Sequence, residues 1–355
     1  MRRILPALAL ACALAVPTAH AETRVVVPGT LPSGTTLEKW DAESAVVGAN
    51  WLPGTTAQVV GYPSALWPVA GHVTLGASIA TGQQNLDAYL RQQDGPVTVV
   101  GISQGAMVID AELARGTVDP TKVTFVLMAD PNRGVMNLFP AGTYIPILNT
   151  TVTAPPVTKY DTVVVYGQYD GLGDFPDRPW NLLADANALF GLAYVHAQTA
   201  YAAQSDAVEM SSTTNELGGH TTTYMVPTKE LPLTEPLRSV LPDATVDEID
   251  KVLRPMIDAG YSQYSDSKAP YIKQGRLVFP GQSAATRSTG GGATLVSRLK
   301  SAVAKLSHLK PPKVKLPTLK PAKAKLPTLK LPKKKPAKAN AARSAAGTDA
   351  ARDAA

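Results

Sequence analysis

Val97-Thr-Val-Val-Gly-Ile102 runs into Ser103-Gln-Gly105, and Ala106-Met-Val-Ile-Asp-Ala-Glu-Leu-Ala-Arg115 follows. Thr98 is the only polar residue of the first run. Such a run is the pattern of a central parallel strand covered on both faces. Ser103 to Arg115 reads as a helix, and Gly116 supplies its C-terminal stop. A Gly-x-Ser-x-Gly pentapeptide between a buried strand and a helix is the arrangement of a nucleophile elbow. There the serine sits in a tight, strained turn, and Gly101 and Gly105 leave room for close backbone packing. The Ser103 hydroxyl would project above the sheet edge, and the N–H of Gln104, at the helix N-terminus, would face an oxyanion. The competing reading is a serine N-cap on an ordinary helix.

Similar elements lie on both sides of this stretch. Arg24 to Val27 is a short β-branched run that ends at Pro28-Gly29-Thr30, a buried first strand entering a loop. Ala77 to Gln93 carries Ile79, Leu86, Tyr89 and Leu90 at helical spacing, and Asp94-Gly95-Pro96 breaks it. Lys122 to Ala129, Asp161 to Tyr166 and Thr221 to Val226 read as further strands. Pro179 to Tyr194, with proline near its start, and Val246 to Ala259 read as helices. Apolar strands alternating with helices predict a doubly wound α/β sheet. Sites in such sheets form at the carboxyl ends of strands, where Ser103, Asp130 and Asp170 fall.

A serine nucleophile needs a base, and the chain has 5 histidines. His20 and His308 lie near the ends, and His72 precedes the strand that leads to Ser103. His196 and His220 remain, both downstream of the acid candidates. The acid belongs on a strand-end loop between nucleophile and histidine. Asp170 holds that place, with Asp174 and Asp177 just after it; the alternative for all three is turn chemistry. Asp130 ends an earlier strand, in an Asp-Pro-Asn sequence that suits a turn.

The chain is 355 residues long, 45% hydrophobic, and long enough for one large α/β domain. Arg2 and Arg3, the apolar run Ile4 to Val16 and the small residues around Ala21 read as a signal peptide, so export is expected with Glu22 as the mature N-terminus. Pro17 makes the run too short for a membrane span of about 20 residues. Cys12 is the only cysteine and lies inside that segment. The mature chain then has no disulfide, thiolate metal site or cysteine nucleophile. Acylation at Cys12 is disfavoured by the short apolar run before it. The formal net charge of +6 hides two halves. Residues 298–355 hold 16 basic and 2 acidic residues, which leaves 18 basic and 26 acidic elsewhere. Ser288 to Gly292 reads as a linker, and Lys313-Val-Lys-Leu-Pro-Thr-Leu-Lys320 recurs as Lys323-Ala-Lys-Leu-Pro-Thr-Leu-Lys330. Prolines and spaced lysines predict an extended basic arm, either inert or a tether to an anionic wall or membrane surface. Nucleic acid is not an expected partner of an exported chain. The expected organisation is 1–21 signal peptide, 22–280 α/β-hydrolase domain and 281–355 linker and tail. No metal-ligand cluster or dinucleotide motif is visible, so no cofactor is expected.

The motifs Gly101-Ile-Ser-Gln-Gly105, Ala129-Asp-Pro-Asn-Arg133, Tyr169-Asp-Gly-Leu-Gly-Asp-Phe-Pro176, Tyr194-Val-His196 and Gly218-Gly219 through Leu237 resemble the PE-PPE domain of mycobacteria and their relatives. The resemblance spans roughly Val25 to Tyr264 and implies a cutinase-like serine α/β hydrolase. Family members are regarded as esterases, some as acyltransferases that build trehalose glycolipids of the cell envelope. No PE or PPE N-terminal module precedes the domain here. The resemblance favours His196 over His220 as base, because the histidine of cutinase-like enzymes follows the acid loop closely and is soon followed by a tyrosine, here Tyr201. It departs in one respect: cutinases carry disulfides beside the acid loop, so rigidity here must come from packing and from Pro176 and Pro179. The implied constellation is Ser103 as nucleophile, His196 as base and Asp170 as acid, with His220 and Asp174 as alternatives. Gln104 and the Thr30 loop would form the oxyanion hole. Val135 to Pro156, rich in apolar residues, is either a lid or acyl-binding loop or an element packed into the core. The implied activity is cleavage of acyl esters of lipids or glycolipids. Transacylation by the same groups, and a non-catalytic wall-binding protein on a hydrolase fold, are the alternatives.

Overall fold

The computed structural model describes residues 22–280. The expected signal segment, and the linker and basic tail in 281–355, lie outside the described residues. In chain order the elements are β1 (Thr23–Val27), α1 (Leu37–Ser44), β2 (Thr56–Val59), α2 (Leu75–Leu90), β3 (Val97–Ile102), α3 (Gln104–Arg115) and β4 (Val123–Met128). A small hairpin of β5 (Tyr144–Ile145) and β6 (Thr150–Thr151) follows, then β7 (Thr162–Gly167) and α4 (Leu182–Tyr194). The last elements are β8 (Val208–Thr214), β9 (His220–Val226), α5 (Asp243–Asp258), β10 (Tyr271–Lys273) and β11 (Arg276–Val278).

Seven strands form one sheet in the order β2-β1-β3-β4-β7-β9-β8. All neighbours are parallel except the edge pair β8–β9. The ladder runs in register through Val26, Val100, Val126 and Val163, so the carboxyl ends of β1, β3, β4 and β7 line one edge. All of β3 is buried, because alternate residues feed opposite cores. Val97 and Val99 join Phe125, Leu127 and the α2–α3 residues Leu86, Val108 and Ile109 on one face. Val100 and Ile102 join Val126, Met128, Val165 and Trp51 on the other. Burying each such side chain contributes about 1.5–3 kcal/mol. This is the doubly wound, mostly parallel α/β sheet expected from the sequence.

Boundaries moved where local chemistry outweighed periodicity. α4 starts at Leu182 rather than Pro179, because Asn181 caps it, its side chain accepting the Ala184 N–H at 3.2 Å. α5 starts three residues before Val246, at Asp243, after Pro242. β2 and β8 were not anticipated. β2 is a half-exposed edge strand, and all of β8 is exposed, so neither carries an apolar signature.

Candidate active site

β3 delivers Ser103 to the carboxyl edge, and the backbone there turns sharply. Ser103 has φ +56° and ψ −117°, outside the regions a serine ordinarily occupies. Such a conformation costs of order 1–3 kcal/mol and persists only when its surroundings impose it. Two close approaches do so. A Cβ on Gly105 would sit 2.1 Å from the carbonyl oxygen of Val27, and one on Gly101 would sit 2.5 Å from that of Gly105. α3 can therefore press against β1 and β3 only with glycine at both places. The Ser103 N–H donates to Met128 O across to β4 at 2.9 Å. The Ser103 side chain does not cap α3. Its Oγ lies 2.9 Å from Nε2 of His196.

His196 follows α4 and is held by its N–H donating to Gly191 O at 3.0 Å. Its Nδ1 lies 2.8 and 2.9 Å from the two carboxylate oxygens of Asp170. Asp170 is fully buried on the loop after β7, and its Oδ1 also accepts the Leu172 N–H at 2.9 Å. A buried carboxylate on Nδ1 directs the imidazole proton there and leaves Nε2 as an acceptor facing Ser103. Ser103, His196 and Asp170 thus form one continuous hydrogen-bonded row.

The other candidates lie elsewhere. His220 opens β9 at the opposite, amino-terminal edge of the sheet, exposed and bonded to Ser212 Oγ at 2.9 Å and Thr214 Oγ1 at 3.0 Å. The parallel pairing of β9 with β7 prevents it from reaching Ser103. Asp174 is buried beside Asp170 but bonds Tyr169, Gln263 and Tyr264 rather than His196. Asp177 accepts from the N–H and hydroxyl of Ser262. Asp130, at the end of β4, pairs with Arg133, which also bonds Asp110 on α3 at 2.9 Å. That ion pair fixes the β4 loop to the helix that follows Ser103.

Next to Ser103, Gln104 is 1% exposed. Ser78 Oγ donates to its Oε1 at 2.9 Å, and its Nε2 donates to Ala65 O at 2.8 Å and to Thr30 Oγ1 at 3.2 Å. The side chain thus pins the Thr30 loop against α3, and Thr30 Oγ1, already accepting, keeps its own proton free to donate. Among the described residues, no hydrogen bond runs from the N–H of Gln104 or of Thr30 to another protein group. Sequence reasoning anticipated neither this use of the Gln104 side chain nor Ser78. Both are ordinary helical residues until the fold brings loop 64–70 over α3.

Val135 to Pro156 does not pack into the core as an element. It crosses the surface through short 3-10 turns and the β5–β6 hairpin, with Phe139, Tyr144 and Ile147 exposed. Its start is tied to the acid loop, Val135 N–H donating to Leu172 O at 2.9 Å. α4, which also packs on that loop, is inverted. Ala184, Asn187, Ala188 and Gly191 face the protein, whereas Leu182 and Leu189 are 77% and 64% exposed. Phe190, Leu192 and Tyr194 are exposed as well. The small inner face lets the helix sit directly on the acid loop, where Gly171 approaches Ala188 and Leu192. Among the described residues, no group of three or more His, Cys, Asp or Glu side chains is placed to hold a metal ion.

Residues 53–262 match the PE-PPE domain. The chain belongs to the PE-PPE domain family. The "Uncharacterized PPE family protein PPE63" of Mycobacterium tuberculosis (strain CDC 1551 / Oshkosh) is 46% identical over 282 residues, covering 72% of this chain and 58% of the relative. The "SL1278 acyltransferase Chp1" of Mycobacterium tuberculosis (strain ATCC 25618 / H37Rv) is 42% identical over 289 residues, covering 76% and 71%. The "Esterase PE16" of the same strain is 34% identical over 225 residues, covering 58% and 42%. The chain thus spans 58% of the length of PPE63. Ser103, Asp170 and His196 all lie inside the matched PE-PPE region, whereas Thr30 precedes it.

Proposed function

We propose that this PE-PPE protein is an exported serine carboxylic-ester hydrolase acting on acyl esters of lipids or glycolipids. The observation that carries the reading is the row from Ser103 Oγ through His196 to Asp170, with the serine on a positive-φ turn at a helix N-terminus. His196 Nε2 takes the proton as Ser103 Oγ attacks the ester carbonyl carbon. Asp170 orients the imidazole and stabilises the imidazolium. The N–H groups of Gln104 and Thr30, with the Thr30 hydroxyl, receive the oxyanion, and losing one such donor typically costs about 3 kcal/mol. Collapse expels the alcohol, which leaves with the proton from His196, and an acyl group remains on Ser103. Water, deprotonated by His196, then attacks the acyl carbon; the bond to Ser103 Oγ breaks as Oγ takes the proton back from His196, and the carboxylic acid is released.

The substrate class rests on the surface around this row. An α4 that turns Leu182, Leu189 and Leu192 outward and Ala184 and Ala188 inward sacrifices burial, which makes sense where those leucines meet hydrocarbon. The exposed Val135 to Pro156 segment is tied at its start to the acid loop and is the candidate lid or acyl-binding surface. Residues 1–21 and 298–355 supply the export and tether part of the reading; binding of the full chain to anionic vesicles but not neutral ones, lost on removing 298–355, is its test.

A second reading is favoured by the 42% identity to a relative named as an acyltransferase: a sugar hydroxyl, rather than water, takes the acyl group. Ser103→Ala and a fluorophosphonate probe test the shared chemistry. The proposal expects covalent labelling at Ser103 and loss of turnover on p-nitrophenyl esters in the variant. An unlabelled protein would instead fit a wall-binding role. Mass spectrometry of products from an acyl lipid, with and without trehalose, then separates free acid from a new ester.

A further inference from the structure

The carboxyl group beside the candidate acid has no role in the row, yet both of its oxygens are held by hydrogen bonds. Asp174 is 5% exposed. Its Oδ2 accepts the Tyr169 N–H at 2.8 Å and the Tyr264 hydroxyl at 2.7 Å, and its Oδ1 accepts from Gln263 Nε2 at 2.7 Å. Its own N–H donates to Asp170 O at 2.9 Å. Asp174 therefore closes the turn around Asp170 with both backbone and side chain. Tyr166, at the end of β7, completes the circuit, its hydroxyl donating to Gln263 Oε1 at 3.3 Å.

The residue gripped by this circuit is strained. Tyr169 has φ +68°, is fully buried, and immediately precedes Asp170. A left-handed non-glycine residue costs roughly 1–2 kcal/mol, so it holds only where its neighbours impose it. Asp174 holds its N–H; Asp258, accepting at 2.6 Å, and Arg254, donating at 3.1 Å, hold its hydroxyl. The loop has no disulfide to do this, because Cys12 is the only cysteine. Burial pushes the Asp174 carboxyl up to about 8 against the opposing hydrogen bonds from Tyr264 and Tyr169. Gln263 and Tyr264 lie immediately beyond residue 262, where the family match ends.

We infer that Asp174 is a positioning residue, the clasp through which Gln263 and Tyr264 hold Tyr169 and Asp170 in the geometry that aims Asp170 at His196. The inference rests on the proposed Ser103–His196–Asp170 chemistry. The test uses the full chain with Tyr264→Phe and Asp174→Ala, each alone and combined with Asp170→Asn, assayed on p-nitrophenyl butyrate with melting temperature recorded. Tyr264→Phe is expected to lower kcat about tenfold, the scale of one lost hydrogen bond, with KM within about twofold. Asp174→Ala is expected to lower kcat about 100-fold, as for a catalytic group displaced by about 1 Å. In the Asp170→Asn background both are expected to cost less than about twofold more, because the group they position is already gone. Wild-type kcat in folded Tyr264→Phe would overturn the inference. So would losses that multiply in full in the Asp170→Asn background, since general loosening behaves that way. If Asp174→Ala does not fold, Tyr264→Phe, a change of one oxygen atom, decides. Ser103→Ala separates the two levels. Turnover surviving in Ser103→Ala sinks the underlying chemistry; an inactive Ser103→Ala beside a fully active Tyr264→Phe sinks only the clasp.

Discussion

Gly105→Ala adds one methyl group at the point where the nucleophile turn meets β1. The new Cβ would lie 2.1 Å from Val27 O and 2.6 Å from Pro28 O, where real contacts stay beyond 3.0 Å. Both obstacles are backbone, so no side-chain rotation relieves them. The first turn of α3 must retreat by about 1 Å, carrying the Gln104 N–H and the Ser103 hydroxyl with it. Overpacking of this kind costs about 1–3 kcal/mol of stability, and a 1 Å displacement of catalytic groups costs about 100-fold in rate. We therefore expect kcat/KM for p-nitrophenyl butyrate to fall about 100-fold in a protein that still folds by circular dichroism. Gly116→Ala is the matched control. It strains φ +62° at the far end of α3, and its nearest obstacle is Leu113 O at 4.0 Å. It should cost about 1 kcal/mol of stability and leave turnover unchanged. A folded Gly105→Ala with near wild-type kcat/KM would refute the elbow packing as the source of Ser103 placement.

His196→Ala is expected to lose about 10⁴-fold or more in kcat, whereas His220→Ala stays within about twofold; the reverse ranking would remove His196 as base. Asp174 makes stability depend on pH. Its carboxyl is raised from 3.8 to about 8 in the folded chain, so its protonated form stabilises the fold at low pH and that contribution fades as pH rises through 8. Relative to wild type, Asp174→Asn should gain up to about 1.4 kcal/mol per pH unit between those values, read from urea unfolding at pH 5 and 7.5; parallel behaviour would contradict it. Leu189→Gln, at a 64% exposed position on α4, should leave hydrolysis of soluble p-nitrophenyl butyrate intact and reduce that of emulsified long-chain esters. Equal rates on both would show that this face does not meet substrate.

Much of the fold was legible because burial on both faces leaves an unmistakable trace. Val97 to Ile102 and Val123 to Met128 are apolar apart from Thr98 and Thr124, since their apolar side chains enter one of two cores. The strands at the two edges, β2 and β8, were not legible, because a strand facing water needs no apolar pattern. The start of α4 was missed for a related reason: Asn181 caps the helix through a single hydrogen bond, which periodicity does not register.

The candidate site divides along the same line. The pentapeptide around Ser103 is local: its strand, its glycines and its helix are contiguous, so the sequence by itself determined the turn. Choosing between His196 and His220 was not a local matter. Both follow the acid loop in sequence; the resemblance favoured His196, and strand direction then places it at the carboxyl edge and His220 at the amino edge of a parallel sheet. The same holds for Asp170 and Asp174. Four residues apart on one loop, they are chemically identical in the sequence. The tertiary structure turned one toward His196 and the other toward Gln263 and Tyr264, because hydrogen bonds between distant segments are made only after the chain has folded back on itself.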